Sequence, residues 1–115
     1  MASFTTRVEL VNPDHSDYEL LHQEMRDAQF YRSIIYCGIW KDMPFAEYDH
    51  TSNQTISQAY DAALCAVQTV ISNKPINDKQ QKKDFLLLVT EVASVRMFKL
   101  PNTTEIAKLP PGASL

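Results

Sequence analysis

Two Asp-His pairs are the residues of this chain best suited to acid–base chemistry. Asp14-His15 follows one stretch with strand character, and Asp49-His50 follows another. A histidine titrates near neutral pH, and a nearby carboxylate raises its pKa and orients its ring. Brought together, the four candidate catalytic side chains could act as general acid and base, as RNA cleavage requires, or hold a divalent metal ion.

The same two pairs also have an ordinary structural explanation. Asp14 and Asp49 precede predicted helix starts, where a carboxylate complements the positive end of the helix dipole. Histidines in loops are commonly just solvated. The sequence allows both explanations. The positions of the four side chains in the fold decide between a catalytic cluster and an ordinary structural role.

Three arginines are candidate phosphate contacts for a nucleic acid. If the chain folds as a sheet covered by helices on one face, Arg7 should lie on the opposite, open face. RNA-binding domains of α+β type bind RNA on that face. Arg26 is on the polar side of the first predicted helix, and Arg32 opens the second predicted strand. Acidic neighbours such as Glu24 and Asp27 favour the alternative of a charge-balanced, solvated surface.

Glycine is scarce, and its scarcity excludes several kinds of site. The 115 residues contain two glycines, Gly38 and Gly112, where average usage would give about eight. No P-loop or glycine-rich dinucleotide site can be built from them. The formal net charge of −3 argues against a strongly basic nucleic-acid binder but leaves room for local contact with RNA.

The remaining composition predicts a cytoplasmic protein of bacterial or phage type, without metal or cofactor. Cys37 and Cys65 are too far apart for a zinc site or a disulfide framework. No apolar run reaches the roughly 18 residues that a membrane span needs, and the N-terminus does not resemble a secretory signal. The length fits one domain; we expect it over residues 1–100, with residues 101–115 as a flexible tail.

Hydrophobic patterning predicts alternating strands and helices. Capping boxes at Ser16 and Thr55 predict the starts of two helices, the second running to about residue 72. Strands are predicted by their apolar and β-branched residues, at 5–11, 30–40, 45–49 and 85–89. Residues 95–100 could add an extra C-terminal strand. The polar stretch 73–84, with Lys79, Lys82 and Lys83 in its second half, predicts a solvated loop.

The order strand–helix–strand–strand–helix–strand predicts an α+β, ferredoxin-like βαββαβ sandwich. Its sheet is antiparallel, with both helices on one face. We expect the first and third strands to be central, parallel neighbours, so that the two Asp-His pairs meet at one edge of the sheet.

A sheet with helices on one face leaves its other face open. Aromatic residues of the second and third strands could stack RNA bases there, pack the core, or cover the sheet against a second protomer; these are Tyr31, Tyr36, Trp40 and Phe45. The expected partners are therefore RNA, another protein, or a second copy in a homodimer through the open face or an edge.

Short stretches between residues 4 and 91 together carry a family resemblance. They are FTTRVEL (4–10), DYELLH (17–22), EM (24–25), FYRSI (30–34), PFAEY (44–48), NQT (53–55), SQ (57–58) and LVTE (88–91). In this order they resemble the GhoS endoribonuclease antitoxins of type V toxin–antitoxin systems, which are small bacterial and phage proteins.

The resemblance implies a ferredoxin-like domain similar to small CRISPR-associated nucleases. It also implies an RNA-directed antitoxin or regulator, with endoribonuclease activity on the messenger RNA of a membrane-damaging toxin. The related nucleases carry an aspartate at the end of the first strand, for which Asp14 is the nearest candidate. The alternative is a non-catalytic interaction module of a phage or mobile element, an inhibitor or dimeric adaptor on the same fold.

Overall fold

The computed structural model describes residues 1–115, which form a mixed α+β fold with two α-helices and antiparallel sheets. In chain order the elements are β1 (Ala2–Val11), α1 (Asp17–Asp27), β2 (Ser33–Tyr36), β3 (Ile39–Asp42), β4 (Glu47–Ser52), α2 (Ile56–Asn73), β5 (Asp84–Glu91) and a 3-10 helix (Ile106–Lys108). Neither α-helix combines the length and the apolar character needed to cross a membrane.

β1 is the central strand of a three-stranded sheet with the order β4-β1-β5. Both neighbours run antiparallel to it, so Thr5 lies opposite Asp49 on one side and Thr90 on the other. β4 and β5 are therefore parallel to each other, and α2 connects them across β1. Tyr31 pairs with Asp49 along the outer edge of β4 through two backbone hydrogen bonds of 2.7 and 2.8 Å.

The expected parallel pairing of the first and third strands is wrong. The chain enters β4 beside the middle of β1, where the N–H of Val8 donates to the carbonyl of Ala46 at 3.1 Å. From there it runs back along β1 until Ser52 lies opposite Ala2. β4 is thus antiparallel to β1.

The second predicted strand, at 30–40, is two strands. β2 and β3 form a separate two-stranded sheet, joined by a tight turn at Cys37 and Gly38. Both turn residues have positive φ, 51° and 79°, as a two-residue hairpin turn of the I′ type requires. The extra strand considered at 95–100 does not form.

The core lies between one face of the three-stranded sheet and the two helices. Alternate residues of β1 point into it, while Arg7 and Glu9 face the other side. The buried cluster draws on β1, α1, β4, α2 and the residue Phe30, and its members are Val8, Leu10, Leu21, Met25, Phe30, Tyr48, Ala63, Ala66, Val67 and Val70. The alanines let α2 approach its neighbours closely.

The two helices begin in different ways. At α2 the predicted capping box forms: Gln58 N–H donates to Thr55 Oγ1 at 3.2 Å, and Thr55 N–H donates to Gln58 Oε1 at 2.9 Å. At α1 the side chain of Ser16 makes no capping bond. The Asp17 carboxylate instead accepts the N–H of Asp14 at 2.8 Å, so a carboxylate of the first turn holds the incoming chain.

Candidate functional site

The four predicted catalytic residues do not form one cluster. Asp49 lies opposite Thr5, near the start of β1, whereas Asp14 lies beyond the end of β1 at Val11. The six residue-to-residue steps from Thr5 to Val11 alone span about 20 Å of extended chain. The expected meeting of Asp14-His15 and Asp49-His50 is therefore wrong, because it depended on parallel strands.

Asp14 belongs to an ion-pair network at the start of α1. Its carboxylate lies 2.9 Å from the Lys74 ammonium and 3.0 Å from that of Lys83, and it accepts the N–H of Asp78 at 2.8 Å. These interactions hold the pKa of Asp14 well below its usual range, the hydrogen bond from Asp78 contributing most. His15 beside it is exposed. This arrangement fastens the loop 74–83 to the first helix.

His50 is buried with both ring nitrogens occupied. Nδ1 lies 2.8 Å from the carbonyl oxygen of Gln29, and Nε2 lies 2.9 Å from the side-chain amide of Gln54. The ring also stacks on Phe30, with 4.2 Å between centroids. A histidine held in this way has no free nitrogen for a substrate proton, and its contacts are those of a core residue.

Asp49 has a different environment, on the open face of the sheet. With Thr5, Ile34 and residues 92–95 it lines a cavity of about 240 Å³. Burial raises the pKa of Asp49 to about 6. The acidity of the Asp49 carboxyl is thus shifted towards neutral pH.

Two of the three predicted arginines meet in a second cavity, of about 370 Å³, beside α1. Its lining is mostly polar and comprises Ser16, Glu19, Leu20, His22, Gln23, Arg26, Arg32 and Ala107. We call it the arginine cleft. Arg7 is not part of it, because that side chain lies on the open face of the sheet.

The two arginines of the cleft differ in how they are used. Arg26 Nη1 donates to the carbonyl oxygens of Ala107 at 2.7 Å and Leu109 at 2.5 Å, which fastens the C-terminal segment to α1. Arg32 is half-buried and makes no ion pair. Its backbone is fixed, since its carbonyl accepts the N–H of Met43 at 2.8 Å. Arg32 thus presents a guanidinium without an ion-pair partner to a cleft that Glu19 also lines.

His22 is the functional candidate that the sequence did not reveal. Its Nδ1 lies 2.8 Å from the hydroxyl of Tyr48, and its ring lines the arginine cleft. Burial, followed by the positive charge of Arg32, lowers the pKa of His22 to about 4. The imidazole is therefore neutral at pH 7 and leaves the positive charge of the cleft to the arginines.

An exposed aromatic ring lies next to this cleft. Phe45 is 71% exposed, and its ring meets His22 edge-on with 5.9 Å between centroids. Its other neighbour is Tyr18, at 4.9 Å. The exposed ring of Phe45 is thus in contact with His22, which lines the arginine cleft.

No group of three or more His, Cys, Asp and Glu side chains is placed to hold a metal ion. The chain matches no protein-family model, and neither a curated protein nor a solved structure matches it. What the arginine cleft does must therefore be argued from its own chemistry.

Proposed function

We propose that this protein is an RNA-directed regulator of the GhoS-like type, which holds a backbone phosphate of single-stranded RNA in the arginine cleft. The observation that carries the proposal is Arg32, a half-buried guanidinium without a carboxylate partner in a polar cavity. Guanidinium groups bind phosphate through paired, charge-assisted hydrogen bonds. An anion in the cleft would give Arg32 the ion pair that it lacks within the chain.

Phe45 favours RNA over a free phosphate ion. Unpaired bases stack on exposed aromatic side chains, and this stacking tolerates any base. The Phe45 ring contacts His22, which lines the same cleft as Arg32, and this arrangement suits a nucleotide whose phosphate and base bind together. Because the chain carries a net charge of −3, the proposed contact is local, over one or two phosphates.

The strand arrangement supports the ferredoxin-like fold as part of this proposal. β4 and β5 run parallel on either side of β1 and are joined by α2, as in a split βαβ unit. Tyr31 occupies the next position outside β4, where a fourth strand of such a sheet would lie. We infer that the β2–β3 hairpin is an addition to this unit.

Replacing Arg32 with glutamine is expected to weaken the binding of a single-stranded RNA oligonucleotide by about tenfold or more, because a charge-assisted contact is lost. The slope of log K against log salt should also fall in magnitude by about 0.7, the value for one phosphate on a single strand. Fluorescence anisotropy at several salt concentrations measures both quantities.

The matched control for Arg32→Gln is Arg96→Gln, which removes an exposed arginine whose Nη1 contacts only its neighbour's carbonyl, Val95 O. Its affinity and salt slope should equal those of the wild type. Equal losses in the two variants would show that general charge, and not the arginine cleft, attracts RNA.

Replacing Phe45 with alanine is expected to weaken RNA binding by roughly tenfold while leaving the salt slope unchanged, because stacking contributes about 1–3 kcal/mol per base. Phe98→Ala is the control, since Phe98 is 82% exposed and lies in the C-terminal segment. The same anisotropy titrations apply. A wild-type affinity in Phe45→Ala would remove base stacking from the proposal.

The same RNA, analysed by denaturing electrophoresis, separates a binding regulator from an endoribonuclease. For cleavage, the cleft offers neutral His22 to accept the proton of a ribose 2′-hydroxyl. The 2′ oxygen would then attack the phosphorus and expel the 5′ oxygen, which takes a proton from water, leaving a 2′,3′-cyclic phosphate. Shortened RNA with that end supports endoribonuclease activity, and intact bound RNA supports a regulator without catalysis.

A further inference from the structure

The exposed side of β5 carries an apolar pair. Leu86 and Leu88 are 59% and 61% exposed on the sheet face opposite the helices, while the residues between and beside them pack against the core. β5 is also an edge strand of its sheet. Two neighbouring leucines on an edge strand make an apolar surface that soluble chains usually cover.

Opposite charges lie beside these leucines on β1. In the antiparallel register Arg7 is paired with Leu88, and Glu9 is paired with Leu86. The four side chains line one shallow depression, which we call the open-face patch. Both charged side chains are exposed, and neither makes an ion pair within the chain.

The order of these residues makes the open-face patch complementary to itself. Arg7 and Glu9 are two residues apart, so they lie about 7 Å apart along β1. Two copies can stack their open faces about a two-fold axis that lies between the sheets, runs perpendicular to β1 and passes over Val8. This rotation would bring Arg7 of one copy over Glu9 of the other. The same rotation would bring Leu86 over Leu88. Each contact would then occur twice, as in an isologous interface.

We propose that two copies of this chain form a face-to-face dimer through the open-face patch. The charge pattern favours a second copy over RNA, because Glu9 would repel a phosphate backbone that approached Arg7. The rest of this sheet face is partly occupied by the segment 92–95, which lies over Thr5 and Asp49. The contact is thereby confined to the end of the face where the leucines are exposed.

Charge reversal tests the proposed pairing directly. Arg7→Glu and Glu9→Arg should each weaken the dimer about tenfold or more, since like charges then face each other twice across the interface. The double variant R7E/E9R should restore the dissociation constant to within a few-fold of the wild type, because it exchanges the two charges. Sedimentation equilibrium over a range of protein concentrations measures these constants.

Lys82→Glu is the control variant, as it reverses an exposed charge outside the patch and should leave the dimer unchanged. Leu88→Ser should weaken the dimer without altering its dependence on salt. The proposal is overturned if the wild type sediments as a monomer at millimolar concentration. It is equally overturned if the folded double variant, checked by circular dichroism, dimerises no better than the single variants.

Discussion

Replacing Lys83 with methionine is expected to lower the free energy of unfolding by about 3–5 kcal/mol, the range found when one partner of a buried ion pair is removed. The Lys83 side chain is 0% exposed, and its Nζ lies 2.8 Å from Asp17 and 3.0 Å from Asp14. Without this ammonium, Asp17 would have no ion-pair partner, and Asp14 would keep only Lys74, a half-exposed lysine.

Urea denaturation of the wild type and Lys83→Met measures the change. Lys82→Met is the matched control, because Lys82 is exposed and its loss should change stability by no more than about 0.5 kcal/mol. A second variant that combines Lys83→Met with Asp17→Asn should recover part of the loss, since it removes one uncompensated carboxylate. Equal stabilities of Lys83→Met and Lys82→Met would show that the network stabilises nothing.

The position of Lys83 illustrates what the sequence could not provide. A polar stretch rich in lysine predicts a solvated loop, and most of 74–83 is indeed exposed. Lys83 is buried because the loop folds back onto the β1–α1 connection, where Asn77 Nδ2 donates to the carbonyl of Asn12 at 3.0 Å. That contact joins residues 65 positions apart, and no local pattern encodes it.

The helices were predictable because their signals are local. The capping box at Thr55 and Gln58 acts within one turn, and the apolar spacing of each helix selects its buried face. The direction of β4 was not predictable in the same way. It depends on which part of β1 the chain reaches after α1 and the hairpin, and the wrong choice of direction also misplaced the predicted catalytic cluster.

In the candidate site, too, local sequence signals identify some residues, whereas others depend on long-range contacts. Residue type and position suffice to name Arg26 and Arg32 as candidate phosphate contacts, and in the structure both line one cavity. His22 was not recognised, because its environment depends on Tyr48, which lies 26 positions away. One signal could have indicated it: on α1, His22 follows Leu21 and lies one turn after Tyr18, at the border of the apolar face.

Asp49→Asn is expected to raise the free energy of unfolding at pH 7.5 by about 3 kcal/mol, and most of this gain should be lost at pH 4. Burial raises the pKa of Asp49 in the folded protein to about 6, from an ordinary value of 3.8. The folded state therefore binds this proton more tightly than the unfolded state, so stability falls as pH rises from about 4 to 6. Asparagine carries no charge at either pH and escapes this cost.

His22 acts in the opposite direction over much of the same pH range. Its pKa is lowered from 6.5 to about 4 in the folded protein, so the unfolded state takes up that proton first and stability rises with pH between about 4 and 6.5. In the wild type the contributions of Asp49 and His22 largely cancel between pH 4 and 6. Asp49→Asn should remove the cancellation, and its stability should rise with pH where that of the wild type stays nearly flat.

Urea midpoints of both proteins between pH 4 and 7.5 give the difference directly, and other titrating groups cancel in it. Asp61→Asn is the control, because Asp61 is an exposed aspartate on α2 and should show no pH-dependent difference from the wild type. A constant difference between Asp49→Asn and the wild type at every pH would mean that Asp49 ionises normally. The Asp49 carboxyl, which lines a cavity with residues 92–95, would then be open to water. It would not be suited to proton transfer near pH 6.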